Sequence, residues 1–299
     1  MTARLPGLAV PPWALALTAM LSVQLGSALS VGLISEVGAA GTAWLRLSMG
    51  AVVFLVLARP PLRQVRRQDI PALVALGVTT GLVTITFLAA IERIPLGTAV
   101  AVEFLGPLTV AAVRTRTRRA LLWPALALVG VVLLTEPWRG QLNPSGVGLA
   151  SLAALGWATY ILLTQRVGDR FTGIGGLSIT VPIAALTAAT IGIPQAAGRL
   201  TPSALAAAAG LALLLPVLPF ALEMLALRTI TTTAFGTLMA LEPAIGVVLG
   251  LLVLHQALAA IHLTGIALVV GAGAAAQRDG LRDHGTPAPN LEPNLMGSR

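Results

Sequence analysis

Ten stretches of this chain are long and apolar enough to cross a lipid bilayer, and that one feature removes most of the folds open to 299 residues. They lie near 13–34, 38–58, 70–91, 96–113, 120–136, 146–165, 173–193, 203–225, 234–254 and 258–276. A spanning helix rises 1.5 Å per residue and needs about 20 mostly apolar residues. Gly and Pro interrupt several of the runs, so their ends are blurred by a few residues. The expected fold is an all-α integral membrane protein of ten transmembrane helices.

Composition points the same way. Hydrophobic residues make up 56% of the chain, charged residues 10%, and the mean hydropathy is +0.89. No soluble core or dimer interface could hide that much apolar surface from water, whereas lipid makes hiding it unnecessary. The chain has no cysteine, which excludes disulfides, thiolate metal sites and cysteine nucleophiles. The net charge of +8 does not point to nucleic acid. The basic residues are all arginines, set mainly in the short gaps between apolar runs, where they act as orientation signals facing anionic headgroups.

The first run follows Arg4 and exceeds the usual apolar core of a secretory signal, about 7 to 15 residues, so it reads as an uncleaved first span after a short segment 1–12. Residues 277–299 are rich in Pro, Asn and charge and are expected to form a disordered cytoplasmic tail. With the N-terminus inside, the inner segments hold Arg4; Arg59, Arg63, Arg66 and Arg67; Arg114, Arg116, Arg118 and Arg119; Arg166 and Arg170; Arg228; and Arg278, Arg282 and Arg299. The outer loops hold only Arg93, Arg139 and Arg199. This bias places both chain ends in the cytoplasm. Links this short leave no room between spans for a soluble catalytic domain.

The chain repeats itself. Arg93-Ile94-Pro95-Leu96-Gly97-Thr98-Ala99 leads into the fourth run, and Arg228-Thr229-Ile230-Thr231-Thr232-Thr233-Ala234 leads into the ninth, 135 residues later. The fourth run then carries Glu103 with Gly106-Pro107, and the ninth carries Glu242-Pro243. Five spans per half is an odd number, so the second copy enters the membrane from the opposite side. The halves are 13–136 and 146–276. Inverted repeats mark secondary transporters, whose halves rock about a site near the midplane.

Four ionisable residues fall inside the runs: Arg46, Glu103, Glu223 and Glu242. A charge at the bilayer centre costs about 2.5–3.5 kcal/mol on insertion scales, so these side chains must face inward. Glu103 and Glu242 lie near mid-depth. Glu223 sits close to Arg228, near the cytoplasmic interface, where a surface ion pair explains it as well as a functional role. Arg46 keeps its proton and needs a carboxylate partner. Two arrangements satisfy these demands: Arg46 and both mid-depth acids line one polar cavity, or Arg46 and Glu103 form a static pair that leaves Glu242 unexplained.

Pro107 and Pro243 each free a backbone carbonyl one turn earlier, at Glu103 and Met239, which can accept from an ammonium group. Gln24, Trp157 and Tyr160 are further polar or aromatic residues buried in runs, with cavity lining and plain packing both open for the two aromatics. Trp13, Trp123 and Trp138 sit at run ends as interfacial anchors. His255 and His262 flank the last outer loop without an assigned role.

These residues carry a family resemblance. Residues Ile94 to Leu108, reading Ile-Pro-Leu-Gly-Thr-Ala-Val-Ala-Val-Glu-Phe-Leu-Gly-Pro-Leu, resemble the fourth-helix motif of the bacterial threonine/homoserine exporters, in the EamA branch of the drug/metabolite transporter superfamily. Ala234 to Ala244 resembles their ninth-helix motif. Leu45-Arg46-Leu47, Trp157 to Leu162 with Gln165-Arg166, and Leu218-Pro219-Phe220 with Leu222-Glu223-Met224 are further matches, in order, over residues 13–276.

The resemblance implies ten helices in two inverted repeats, an inner-membrane location, a central cavity and export driven by the proton gradient. The expected activity is antiport of a small neutral amino acid against a proton, with no cofactor, no metal and no nucleic acid. Glu103 or Glu242 would take the ammonium or the proton in turn, and Arg46 or a proline-exposed backbone end would take the carboxylate. An exporter of another metabolite or drug is the alternative, and a passive channel or membrane scaffold is a further one. An enzyme is not expected, since the spans hold no metal cluster, no Ser/His dyad and no Asp pair.

Overall fold

The computed structural model describes residues 11–58, 65–115, 118–136, 138, 143–168, 175–219, 222 and 238–284. These fold into helices with no strand among them: α1 (Pro12–Val37), α2 (Ala39–Ala58), α3 (Ile70–Ile91), α4 (Leu96–Thr115), α5 (Leu122–Thr135), α6 (Pro144–Gly168), α7 (Leu177–Ala196), α8 (Pro202–Ala212), α9 (Glu242–Leu254) and α10 (Ala260–His284). A short 3₁₀ turn at Arg118–Leu121 precedes α5, and α8 is followed by a kinked stretch, Leu213–Val217, where Leu215 takes extended backbone angles just before Pro216.

Six helices are long and apolar enough to cross a membrane: α1 to α4, α6 and α7. Four apolar helices are shorter: Leu122–Thr135, Pro202–Val217, Glu242–Leu254 and Ala260–Ala276. The ten apolar runs of the sequence thus appear as helices in the same order, six of full length and four short. α10 continues to His284, eight residues past the expected end at 276, so the first part of the supposed tail is helical. Residues 285–299 lie outside the described residues, as do residues 1–10 and the 223–237 segment that carries Glu223 and the start of the ninth-helix motif.

The helix ends are set by local chemistry. Asn143 Oδ1 accepts from the Gly146 amide before α6, and Thr201 Oγ1 accepts from the Ala204 amide before α8, each supplying an acceptor for an orphan N–H of a first turn. Two caps come from distant helices. Gln195 at the end of α7 accepts from the Ala40 and Gly41 amides of α2 at 2.7 and 3.0 Å, and Gln256 accepts from the Leu96 amide of α4 at 3.1 Å.

Small residues let the helices approach closely, as van der Waals packing in lipid requires. A Cβ on Gly130 of α5 would stand 2.5 Å from the Gly265 carbonyl of α10, and one on Gly192 of α7 would stand 2.5 Å from that of Ala40 on α2. Three cross-half pairs run in opposite directions. Ala40 and Trp44 of α2 meet Gly192 of α7 while Gly41 meets Ala196, Gly130 and Leu134 of α5 meet Val269 and Gly265 of α10, and α4 and α9 cross likewise. The outward surface carries exposed Val52, Val56, Leu122, Leu155, Leu186 and Leu252, a belt suited to lipid contact.

Candidate functional site

The site is built on the crossing of α4 and α9. Gly97 of α4 stands against Val247 of α9, Val100 stands against Gly246, and Phe104 and Ala240 both stand against Gly273 of α10. As numbers rise along α4 they fall along α9, so the helices are antiparallel and Glu103 and Glu242 come to the same depth. Glu103 is half-buried, and Glu242 is 5% exposed.

The two prolines act differently. Pro107 lies inside α4, where it leaves the Glu103 carbonyl without its usual helical donor. Gly106 beside it allows α4 to touch the Ala154 backbone of α6 with no room for a side chain. Pro243 was expected to bend the middle of a helix; it instead opens α9, with Glu242 in the first turn and a turn at Ala240 and Leu241 just before. Proline is favoured there because its missing N–H would have been an orphan anyway. The consequence is electrostatic, since a helix N-terminus carries partial positive charge and favours a carboxylate in its first turn.

Gln24 of α1 joins the acids. It is 3% exposed, its Oε1 lies 3.5 Å from where a Cβ on Gly246 would stand, and that oxygen has no hydrogen-bond partner among the described residues. Gly246 is one turn from Glu242, so a buried acceptor waits beside the acid pair.

Arg46 is not with them. Its Nη1 donates to Ser30 Oγ at 2.9 Å, and no described carboxylate lies within ion-pair distance of it. The static Arg46–Glu103 pair is not formed among the described residues. The reason is position, for Ser30 lies six residues beyond Gln24, about 9 Å further along α1. Trp157 is half-buried on α6. Tyr160 lines a separate cavity of about 170 Å³ with Val23, Leu47, Thr180 and Pro216.

A larger cavity, about 440 Å³, opens at the end of the bundle that gathers the α3–α4, α5–α6 and α9–α10 links. Arg93, Thr98, Glu136, Asn143, Gln256 and His262 supply its polar lining. Glu136 Oε1 lies 3.8 Å from His262 Nε2, while His262 Nδ1 accepts from the Ala259 amide at 3.1 Å. Gly97 and Val247 also line this cavity, and Gly97 precedes Glu103 by six residues, about 9 Å of helix, so the cavity points toward the acids. The exposed arginines segregate: Arg66, Arg67, Arg118, Arg119 and Arg166 lie at the opposite end, against Arg93 and Arg199 at this one.

Sequence reasoning missed Ser30, Gln195 and Gln256, whose partners lie far off in the chain, and it left His262 without the Glu136 contact. A lone Ser or Gln in an apolar run gives no signal of which helix it will face.

Comparison with known proteins decides what kind of molecule carries this site. Residues 144–275 match the EamA-like transporter family. The threonine/homoserine exporter RhtA of Escherichia coli strain K12 is 36% identical over 265 residues, covering 87% of this chain and 89% of that protein. The chain belongs to the EamA-like transporter family. RhtA of Salmonella typhimurium strain LT2 is 35% identical over 260 residues, covering 86% of this chain and 88% of its own length. A solved crystal structure shares the fold with a TM-score of 0.58 at 19% identity, over 90% of this chain and 98% of its own. As an EamA-like transporter, the chain is a multi-pass membrane protein that moves small molecules. The segment matched to the family spans α6 to α10, while the match to the exporters extends over most of the chain.

Proposed function

We propose that this EamA-like transporter exports a small neutral amino acid of the threonine/homoserine kind across the bacterial inner membrane, in exchange for an incoming proton. The observation that carries the reading is that Glu103 and Glu242 lie at one depth on oppositely directed helices, inside the membrane where acids are costly and mark substrate or proton pathways. All ten helices span, both chain ends are cytoplasmic, and the 440 Å³ cavity faces outside, in keeping with the arginine-rich opposite end.

In the mechanism, a zwitterion places its ammonium between the acids, with the Gln24 oxygen and the Glu103 carbonyl as further acceptors. Glu242, at the start of α9, serves as the fixed anion because the helix end supports its charge. Glu103, in mid-helix, takes the proton that displaces the ammonium on the outer side. Proton and substrate compete for one place, and that competition couples their opposite movements.

The similarity to RhtA supports the substrate class, since those relatives are threonine/homoserine exporters. The test is uptake of labelled threonine or homoserine into inverted membrane vesicles carrying the wild-type chain, Glu103→Gln or Glu242→Gln. Loss of pH-dependent accumulation in either variant is the expected outcome. Unchanged pH-dependent transport in both would end the proposal.

A further inference from the structure

Arg46 presents a buried cation with one N–H donor left without a partner among the described residues. It is 5% exposed, and its Nη1 is held by Ser30, while its buried Nε has no partner among the described residues. Ser30 is itself fully buried and donates to the Gly26 carbonyl at 2.6 Å, which fixes its hydroxyl so that a lone pair faces the guanidinium. With Nη1 engaged, the unpartnered Nε lies on the other edge of the guanidinium. That edge is one of the two-pronged forks by which arginine holds a carboxylate.

A second orphan lies beside it. Thr42 is one turn before Arg46 on α2, is fully buried, and its Oγ1 has no hydrogen-bond partner among the described residues. Long side chains on a helix lean back over the preceding turn, so the guanidinium of Arg46 is carried toward Thr42. Buried polar atoms are rarely left unsatisfied, because each forfeits its hydration. Two of them, one charged, on one helix face mark a place prepared for a ligand that brings acceptors.

We infer that Arg46, positioned by Ser30 and joined by the Thr42 hydroxyl, forms a carboxylate-binding site separate from the Glu103–Glu242 pair. The ammonium and carboxylate of one α-amino acid are only a few ångströms apart, whereas Ser30, which holds Arg46, lies about 9 Å along α1 from Gln24 beside the acids. One substrate therefore engages them in succession as the halves move, not together. Ser30 is a positioning residue that keeps the fork turned toward the ligand. The identity of the ligand as an amino acid rests on the export reading; the carboxylate chemistry does not.

The experiment reads thermal stabilisation of the purified full chain by three probes. L-threonine has both charges, 3-hydroxybutyrate keeps the carboxylate without the ammonium, and L-threonine amide keeps the ammonium without the carboxylate. Ser30→Ala and Thr42→Val are each expected to weaken L-threonine and 3-hydroxybutyrate by about tenfold and to leave L-threonine amide unchanged. Ser30→Thr, which returns a hydroxyl, restores binding, and Arg46→Lys, which keeps charge but not the fork, does not. Thr42→Ala replaces Thr42→Val if the latter does not fold.

Folded variants that bind 3-hydroxybutyrate as the wild type does overturn the inference, as does equal loss of all three probes. Binding of 3-hydroxybutyrate but not L-threonine by the wild type, lost in Ser30→Ala, upholds this site and removes the proposed substrate. L-threonine binding that ignores both variants does the reverse.

Discussion

Glu103 in the middle of α4 and Glu242 in the first turn of α9 lie at one depth where the two helices cross, although 139 residues separate them in the chain. Antiparallel crossing brings them to one depth, and their backbones treat them differently. One acid has a helix N-terminus behind it and the other has not.

That difference predicts a split between the two neutralised variants. Glu103→Gln is expected to keep exchange of labelled for unlabelled substrate while losing its dependence on the pH gradient. Glu242→Gln is expected to raise the KM for substrate at least tenfold. Counterflow and gradient-driven transport, measured side by side in vesicles, separate the two effects, and identical phenotypes would refute the division of labour.

Gly106 sets the approach of α4 to α6, since any side chain there meets the Ala154 backbone. Gly106→Val should cost about 1–3 kcal/mol through overpacking and lower the melting temperature of the purified protein. Gly148, with open space around it, should accept Ala with little change, and the contrast controls for helix propensity.

Gln195 caps α2 from the end of α7 through two backbone amides. Gln195→Ala should destabilise the chain by about 1 kcal/mol, the usual worth of a lost N-cap. Gln195→Glu keeps the acceptor and should restore most of the loss in a thermal melt.

The natural chain has no cysteine, so single cysteines report sidedness without background. Cysteines replacing exposed Arg67 and Arg119 are expected to react with a membrane-impermeant maleimide only from the cytoplasmic side. Those replacing exposed Glu92 and Trp138 should react only from outside. Labelling of Arg67→Cys and Glu92→Cys from one common side would refute the assigned topology.

Hydropathy alone marked the chain as an all-helical membrane protein and located its six long apolar helices, because transfer into lipid depends on each segment's own composition. The repeat was legible for the same reason: Arg93 to Pro107 and Arg228 to Pro243 repeat an order of residues that needs no folding to be read. The sequence also marked both acids as inward-facing, since lipid penalises a charge wherever its helix lies. The effect of Pro243 was only half legible. A proline announces a break, but whether it bends a helix or begins one depends on the backbone before it.

Tertiary structure alone decided the partners. That α4 crosses α9 at the depth of Glu103 and Glu242, that Arg46 is held by Ser30, and that Gln195 caps α2 all depend on which face of each helix is turned to which neighbour. Apolar, small-residue helices can pack in many rotations of similar hydropathy, and only the close fit of particular surfaces, such as Gly106 on Ala154 and Gly130 on Gly265, selects one. Partitioning into lipid is local and additive along the chain, while packing is a property of surfaces that meet only when the chain has folded.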